Sequence, residues 1–338
     1  KTGGVINFVN SLKGLWDAKE TYHYRGGSSE FFLLRLMQLA YEYVSFLIKL
    51  IFSARAVFIN TSLNHSAFRR DEIYARICYY LNYDYYVFIH GWDDKYFEEH
   101  KIGIDKSKLI RAKTVFVLSN DFAQCLVSLG VSRARIVVER TAIDEDLVDE
   151  FKDLDKSFQG GINMLFLGRL EESKGIFRVL DAFSDLSKTY PEITLDIVGS
   201  GSEDKGVVSW LKTNESKRIK FHGRLEGESK LEMFRKAHFY ILPTSHNEGL
   251  PISVLEAVAS GCIVFTTAVG GLREFLNAYN IGYLISTPTT KETKKTIKTA
   301  LNSRENLKLI SDANLRLGQN SLGMSNLAER LNKVIWKT

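Results

Sequence analysis

Proline and cysteine are scarce in this 338-residue sequence, at four and three. So little proline excludes the proline-rich linkers and disordered segments that this residue marks. The cysteines, Cys78, Cys125 and Cys262, are odd in number, far apart and set in apolar surroundings. That pattern excludes a disulfide framework and zinc-ligand spacing, and it predicts buried thiols in a reducing, cytoplasmic compartment. Motifs of the usual nucleic-acid readers are missing, as are internal repeats and low-complexity tracts, so no nucleic-acid partner is expected. The Lys-Thr-Gly-Gly start has no signal-peptide architecture and no initiator methionine, and the expectation is that the natural start has been trimmed. The Asp-x-Asp at Asp144-Glu-Asp146 falls in a charged stretch and reads as a solvated run; no metal site is expected.

What is present describes a soluble globular chain, 45% hydrophobic, 25% charged and 12% aromatic, long enough for two domains. The net charge of +5 is uneven. Residues 1–155 hold 20 Lys+Arg against 21 Asp+Glu, whereas residues 156–338 hold 25 against 19. A basic second half suits a nucleotide diphosphate as well as it suits nucleic acid.

Phe31–Phe52 is almost wholly apolar and nearly long enough to span a bilayer. However, Arg35, Gln38, Glu42, Ser45 and Lys49 recur at steps of three and four, which gathers the polar groups on one helical stripe. A spanning helix has little use for such a stripe. The pattern predicts a core helix packed on a sheet, with docking on a membrane surface as the alternative.

Elsewhere short apolar runs alternate with helical patterns. In the first half the runs are Ala56–Asn60, Tyr85–His90, Thr114–Ser119 and Arg135–Glu139. A charged stretch, Asp144–Lys156, reads as a linker, and the runs then resume at 164–167, 194–198, 219–221, 239–242 and 263–266. This predicts an α/β protein with two tandem doubly wound, Rossmann-like domains, 1–150 and 151–338, facing a central cleft. The final helix, near Ser325–Trp336, is expected to pack back on the first domain. The lysines at 291, 294, 295 and 298 read as a solvated helix face.

Ligands of such sheets bind at the carboxyl ends of strands, and the strand ends of the second half carry suitable groups. Gly168 and Arg169, followed by Lys174, place two cations in a loop before a helix, where they can grip phosphate oxygens. Gly199 and Gly201 form a turn that a ligand can approach, and His222, Gly223 and Arg224 follow the next strand. Each of these also reads as an ordinary turn. The run Glu248-Gly249-Leu250-Pro251-Ile252 is more specific: Pro251 suits the first helical position, and free N–H groups at a helix start receive a diphosphate. Glu248 stands where it can accept from sugar hydroxyls. Glu256 lies inside an otherwise apolar helix, where a carboxylate needs hydrogen-bond donors; a ribose diol supplies two, and a backbone N–H or an arginine is the plain alternative.

Two glutamates separated by seven residues, in Glu-Gly-Leu-Pro-Ile-Ser-Val-Leu-Glu-Ala, resemble the hallmark of the family-4 retaining glycosyltransferases of GT-B fold. Gly168-Arg169 with Lys174-Gly175 resembles that family's diphosphate loop, and Val198–Gly201 and Phe221–Gly223 resemble its nucleotide-side turns. Ala268–Gly271 with Glu274 resembles its closing glycine loop, His90-Gly91 its acceptor-side histidine, and Gly3-Gly4 its first glycine loop. The resemblance implies transfer of a sugar from a nucleoside diphosphate sugar, UDP favoured, to a hydroxyl acceptor with retention. It implies catalytic roles for Glu248, Arg169, Lys174 and His90, with the diphosphate sugar as co-substrate and no cofactor. A lipid-linked saccharide in surface polysaccharide or glycolipid synthesis is the expected acceptor, with the protein peripheral on the cytoplasmic membrane face. The alternatives are another GT-B enzyme, such as a nucleotide-sugar epimerase or a phosphorylase, and a non-catalytic homologue acting as a binding partner. Two departures stand out. Arg140-Thr141-Ala142 replaces the family's Pro-Asn-Gly near the hinge, and only Lys1 and Thr2 precede the double glycine, where the family has its first strand.

Overall fold

The computed structural model describes residues 4–18, 32–53, 55–214, 216–246 and 249–336. Contacts divide the chain into two compact units: residues 1–117, 122–138 and 328–338 form the first, and 118–121 with 139–327 the second.

The first unit runs α1 (Gly4–Ser11), α2 (Phe32–Ser53), β1 (Val57–Leu63), α3 (His65–Tyr80), β2 (Tyr85–Trp92), α4 (Asp94–Asp105), β3 (Thr114–Val117), α5 (Asn120–Ser128) and β4 (Ile136–Val138). Its described strands pair in parallel in the order β1-β2-β3-β4. Tyr85–Ile89 and Thr114–Val117 are buried without interruption, as parallel strands covered on both faces must be. Phe58, Phe88 and Phe116 meet across β1, β2 and β3 with centroids 5.8–6.4 Å apart. Asn64 and Asp93 cap α3 and α4 by accepting the N–H of Ala67 and Tyr96, which satisfies donors each helix start leaves open. At the chain's other end Tyr86 donates to the carbonyl of Ile335, so the last residues of the chain belong to this unit.

The long helix α2 differs from expectation in its orientation. It packs on α3 through Tyr43 and Phe46, both against Tyr74. Phe46, Leu50 and the predicted stripe's Glu42 are buried, while Leu34, Met37, Tyr41, Val44, Ile48, Ile51 and Phe52 are between 52% and 81% exposed. At 100° per residue the polar stripe therefore lies beside the packed side, and the apolar stripe faces outward. Amphipathicity defined the two faces without saying which one would be covered. Among the described residues no helix is long and apolar enough to cross a membrane.

The second unit runs α6 (Glu145–Phe151), β5 (Ile162–Leu167), α7 (Ile176–Leu186), β6 (Ile193–Val198), α8 (Asp204–Thr213), β7 (Ile219–Phe221), α9 (Gly227–Lys236), β8 (Phe239–Leu242), α10 (Ile252–Ala259), β9 (Ile263–Thr266), α11 (Gly271–Ala278), β10 (Gly282–Leu284), α12 (Thr290–Asn302) and α13 (Leu307–Leu317), and the last helix, α14 (Met324–Ile335), starts in it and belongs to the first unit from residue 328 on. Its strands are parallel in the order β10-β9-β8-β5-β6-β7. The chain moves one way from β5 to β7 and the other way from β8 to β10, which makes this sheet doubly wound. Among the described residues of the first unit the order does not reverse. In α7, Ile176, Val179, Leu180, Phe183 and Leu186 recur at helical spacing and are buried, each side chain contributing about 1.5–3 kcal/mol.

Three smaller expectations are corrected by the structure. The stretch read as a linker contains α6, which buries Val148 and Phe151. Glu145 within it accepts from the Ser325 N–H, so the acidic run is not simply solvated. Cys78 and Cys262 are buried as expected, whereas Cys125 is only half-buried.

Candidate functional site

The doubly wound sheet reverses between β5 and β8, so their carboxyl ends flank the crevice where ligands of such sheets bind. The loops there are fastened to each other. The Ser173 carbonyl accepts from Ser245 N–H at 2.7 Å and from Thr244 Oγ1 at 3.3 Å, joining the loop after β5 to that after β8. The Tyr240 hydroxyl sits 2.9 Å from the Leu167 carbonyl and 2.7 Å from Ser253 Oγ, which ties the first turn of α10 to the end of β5.

The two cations of the first loop stand in different environments. Arg169 is 61% exposed and pairs with Glu171 at 2.6 Å. Lys174 ends a short 3-10 turn and is 6% exposed. Gly168 donates its N–H to Val198. The glycines of the next loop have a reason that the sequence did not reveal. Gly199 holds φ +140°, and a Cβ there would lie 1.8 Å from the Gly168 carbonyl oxygen; one on Gly201 would lie 2.3 Å from that of Leu170. They are glycines because one backbone lies against another, whether or not a ligand also approaches.

After β7, His222 places Nε2 2.6 Å from Asp196 Oδ1 on β6, so this ring nitrogen is held by the protein. Gly223 has φ +66° with open space around its Cα, and Arg224 pairs with Glu226 at 2.6 Å at the surface. After β8, Glu248 lies outside the described residues. Gly249 is half-buried and Leu250 buried. Pro251, with φ −60° and ψ 132°, caps α10 rather than opening it; Ile252 is the first helical residue and is 43% exposed. Gly271 closes in from the β9 side, where a Cβ would lie 2.9 Å from the Gly249 carbonyl carbon.

Glu256 is 5% exposed in α10, among buried Val254, Leu255, Ala257 and Val258. Its Oε1 lies 2.5 Å from Nζ of Lys230 on α9. Burial pushes the carboxyl above its ordinary pKa, and Lys230 pulls the other way. The sequence reading missed Lys230. A lone buried carboxylate asks for a cation, but a partner 26 positions earlier on another helix has no sequence signature.

In the first unit, Gly3 lies outside the described residues and Gly4 opens α1. His90 is half-buried near the end of β2, stacked on Phe88 at 4.2 Å and edge-on to Phe8 at 4.3 Å. Burial pushes its pKa down to about 3, so the ring is neutral at physiological pH. Its Nε2 lies 2.8 Å from Oδ1 of Asn60 on β1. Since that oxygen only accepts, Nε2 carries the proton and Nδ1 the lone pair. Asn60 is a second residue missed, sitting inside what reads as a plain strand.

Residues 149–316 match the family described as glycosyl transferases group 1. This match covers just under half of the chain. Within the matched segment lie Arg169, Lys174, Lys230 and Glu256, whereas His90 lies outside it. A phosphatidyl-myo-inositol mannosyltransferase of Mycobacterium tuberculosis is 30% identical over 146 residues, covering 42% of this chain and 38% of its own. A glycogen synthase of the same organism is 33% identical over 116 residues, 34% of this chain and 28% of its own. The chain thus spans about a third of the length of these curated relatives. Among solved structures, Anabaena HepE in complex with UDP and glucose superposes with a TM-score of 0.69 at 15% identity, covering 90% of this chain and 83% of that one. WaaG, a glycosyltransferase involved in lipopolysaccharide biosynthesis, gives 0.67 at 15% identity, covering 100% and 97%. The fold is that of the GT-B glycosyltransferases.

Proposed function

We propose that this chain is a metal-independent retaining glycosyltransferase acting on a nucleoside diphosphate sugar, with uridine the favoured base. The observation that carries the reading is Glu256: a buried, cation-paired carboxylate on α10, a helix fastened to β5 at the sheet's switch point. In a segment that matches the group 1 family, the ligand with two adjacent hydroxyls for such a carboxylate is the ribose of the nucleotide.

Bond breaking leaves negative charge on the departing diphosphate. Arg169, Lys174 and the start of α10 are the groups to absorb it, each worth about a hundred- to a thousand-fold in rate. Charge stabilisation by protein groups makes a metal unnecessary in this scheme. Glu248 is assigned to the donor sugar's hydroxyls, and His90, neutral and with Nδ1 available as an acceptor, to the acceptor side. A hydroxyl of a saccharide, lipid-linked in surface polysaccharide or glycolipid synthesis, is the acceptor we favour. The outward apolar stripe of α2 supports that choice. Its seven exposed apolar side chains lie along 22 helical residues, about 33 Å at the usual rise, with no charge among them. Such a face suits a helix lying in the plane of a lipid surface.

The test is thermal unfolding of the purified chain with UDP, GDP and ADP, each with EDTA. A ligand at a hundred times its dissociation constant adds about 2.7 kcal/mol. A rise with UDP supports the reading; no rise with any of the three overturns it.

A further inference from the structure

Glu256 and Lys230 form a pair of unequal exposure. The glutamate side chain is 7% exposed and that of the lysine 26%, so the ammonium reaches inward from the edge of α9 to a carboxylate with little exposure of its own. Around α10 pack α13, the helical turn Gly318–Leu322, β9 and α6. Among the described residues, the charged groups acting on the Glu256 carboxylate are Lys230 and Asp144, the latter just before α6 and opposing ionisation. Lys230 is therefore the group that favours the charged form of this carboxylate against its burial. A carboxylate offers about four lone-pair directions, and one ammonium contact leaves the rest for other donors.

We infer that Lys230 is a positioning residue for nucleotide recognition: it holds the Glu256 carboxylate, oriented and ionised, as the acceptor for both ribose hydroxyls. This rests on the reading of Glu256 as the ribose contact. Two hydroxyl donors each need a lone pair on the carboxylate. A protonated carboxyl gives up part of that capacity and turns one oxygen into a competing donor. An unheld carboxylate in an apolar helix also has a standing reason to take up a proton. Lys230 removes that reason without touching the nucleotide, so its effect should appear only for ligands that carry the hydroxyls.

The experiment is calorimetric titration, with EDTA, of UDP and 2′,3′-dideoxyuridine diphosphate into the wild-type chain, Lys230→Met and Lys230→Arg at pH 6 and pH 8. Thermal unfolding accompanies each variant to show that it is folded. The wild type should lose about tenfold or more in affinity when the hydroxyls are removed, as expected for hydrogen bonds to a charged group. Lys230→Met should weaken UDP about tenfold, more at pH 6 than at pH 8, and leave the dideoxy ligand nearly unchanged. Lys230→Arg should recover most of the UDP affinity, since it restores a cation. Equal losses for both ligands in a folded Lys230→Met would overturn the inference in favour of a general structural or phosphate role, and unchanged UDP affinity would overturn it outright. If the wild type binds UDP without regard to the hydroxyls, the ribose assignment of Glu256 falls, and the role of Lys230 with it. If it binds none of UDP, GDP and ADP, the nucleotide reading itself has failed.

Discussion

Lys230 Nζ and Glu256 Oε1 stand 2.5 Å apart, one on α9 and the other in the middle of α10. The pair has a consequence for stability besides the one for binding. Glu256 holds its proton more tightly in the folded protein than the ordinary carboxyl value of 4.5. Such a group contributes most below its unfolded pKa, and its contribution declines as pH rises through the folded value. Lys230 limits that decline. Lys230→Met should thus cost about 1–3 kcal/mol at pH 8, where ionisation would leave the carboxylate unpaired, and clearly less at pH 5. Urea unfolding at the two pH values measures this, and an equal cost at both would count against the pairing.

The neutral state of His90 gives a second expectation. A histidine whose folded pKa falls to about 3 from 6.5 stabilises the fold above pH 6.5 and loses that contribution as pH drops towards 3. In NMR titration its ring signals should not move between pH 8 and pH 5. Asn60→Asp would set a carboxylate beside Nε2 and raise the pKa by about 1–3 units. A wild-type ring that titrates near 6.5 would show that the burial described here does not hold in solution.

Two glycine substitutions separate close backbone approach from simple turn preference. Gly199→Ala would drive a Cβ to 1.8 Å from the Gly168 carbonyl oxygen, and should cost about 3–5 kcal/mol or prevent folding. Gly223→Ala meets open space and carries only the left-handed backbone penalty, about 1–2 kcal/mol. Denaturant midpoints of the two variants, measured side by side, decide this; similar values would contradict it.

These cases show how much the sequence made legible. Strands β8 and β9 are buried along their whole length, so their apolar runs in the sequence read as strands of a covered sheet. Glu256 was legible because a carboxylate amid Val254, Leu255, Ala257 and Val258 demands a partner. The partner was not legible: Lys230 meets it only after α9, β8 and α10 have folded. Gly199 was marked for the right loop with an incomplete reason, since contact with Gly168 depends on β5 and β6 being neighbours. The direction of α2 was missed because periodicity fixes a helix's faces, while packing through Phe46 and Leu50 fixes which one is hidden.

The outward face of α2 is open to direct test. The wild-type chain should sediment with phosphatidylcholine vesicles containing phosphatidylglycerol, and the double variant Val44→Glu, Ile48→Glu should stay in solution with unchanged thermal unfolding. Both side chains are more than half exposed, so the charges should be tolerated by the fold. Equal sedimentation of both proteins would remove the membrane role. A change in oligomeric size without any vesicle binding would make the face a dimer interface instead.

The most direct measurement of the central claim is calorimetric titration of UDP, with EDTA, into the wild-type chain and Glu256→Ala, each checked for folding. The account expects binding by the wild type and a loss of about tenfold or more in the variant, the size of lost hydrogen bonds to a charged group. Equal affinity in the two folded proteins, or no heat from the wild type with UDP, GDP or ADP, would contradict it.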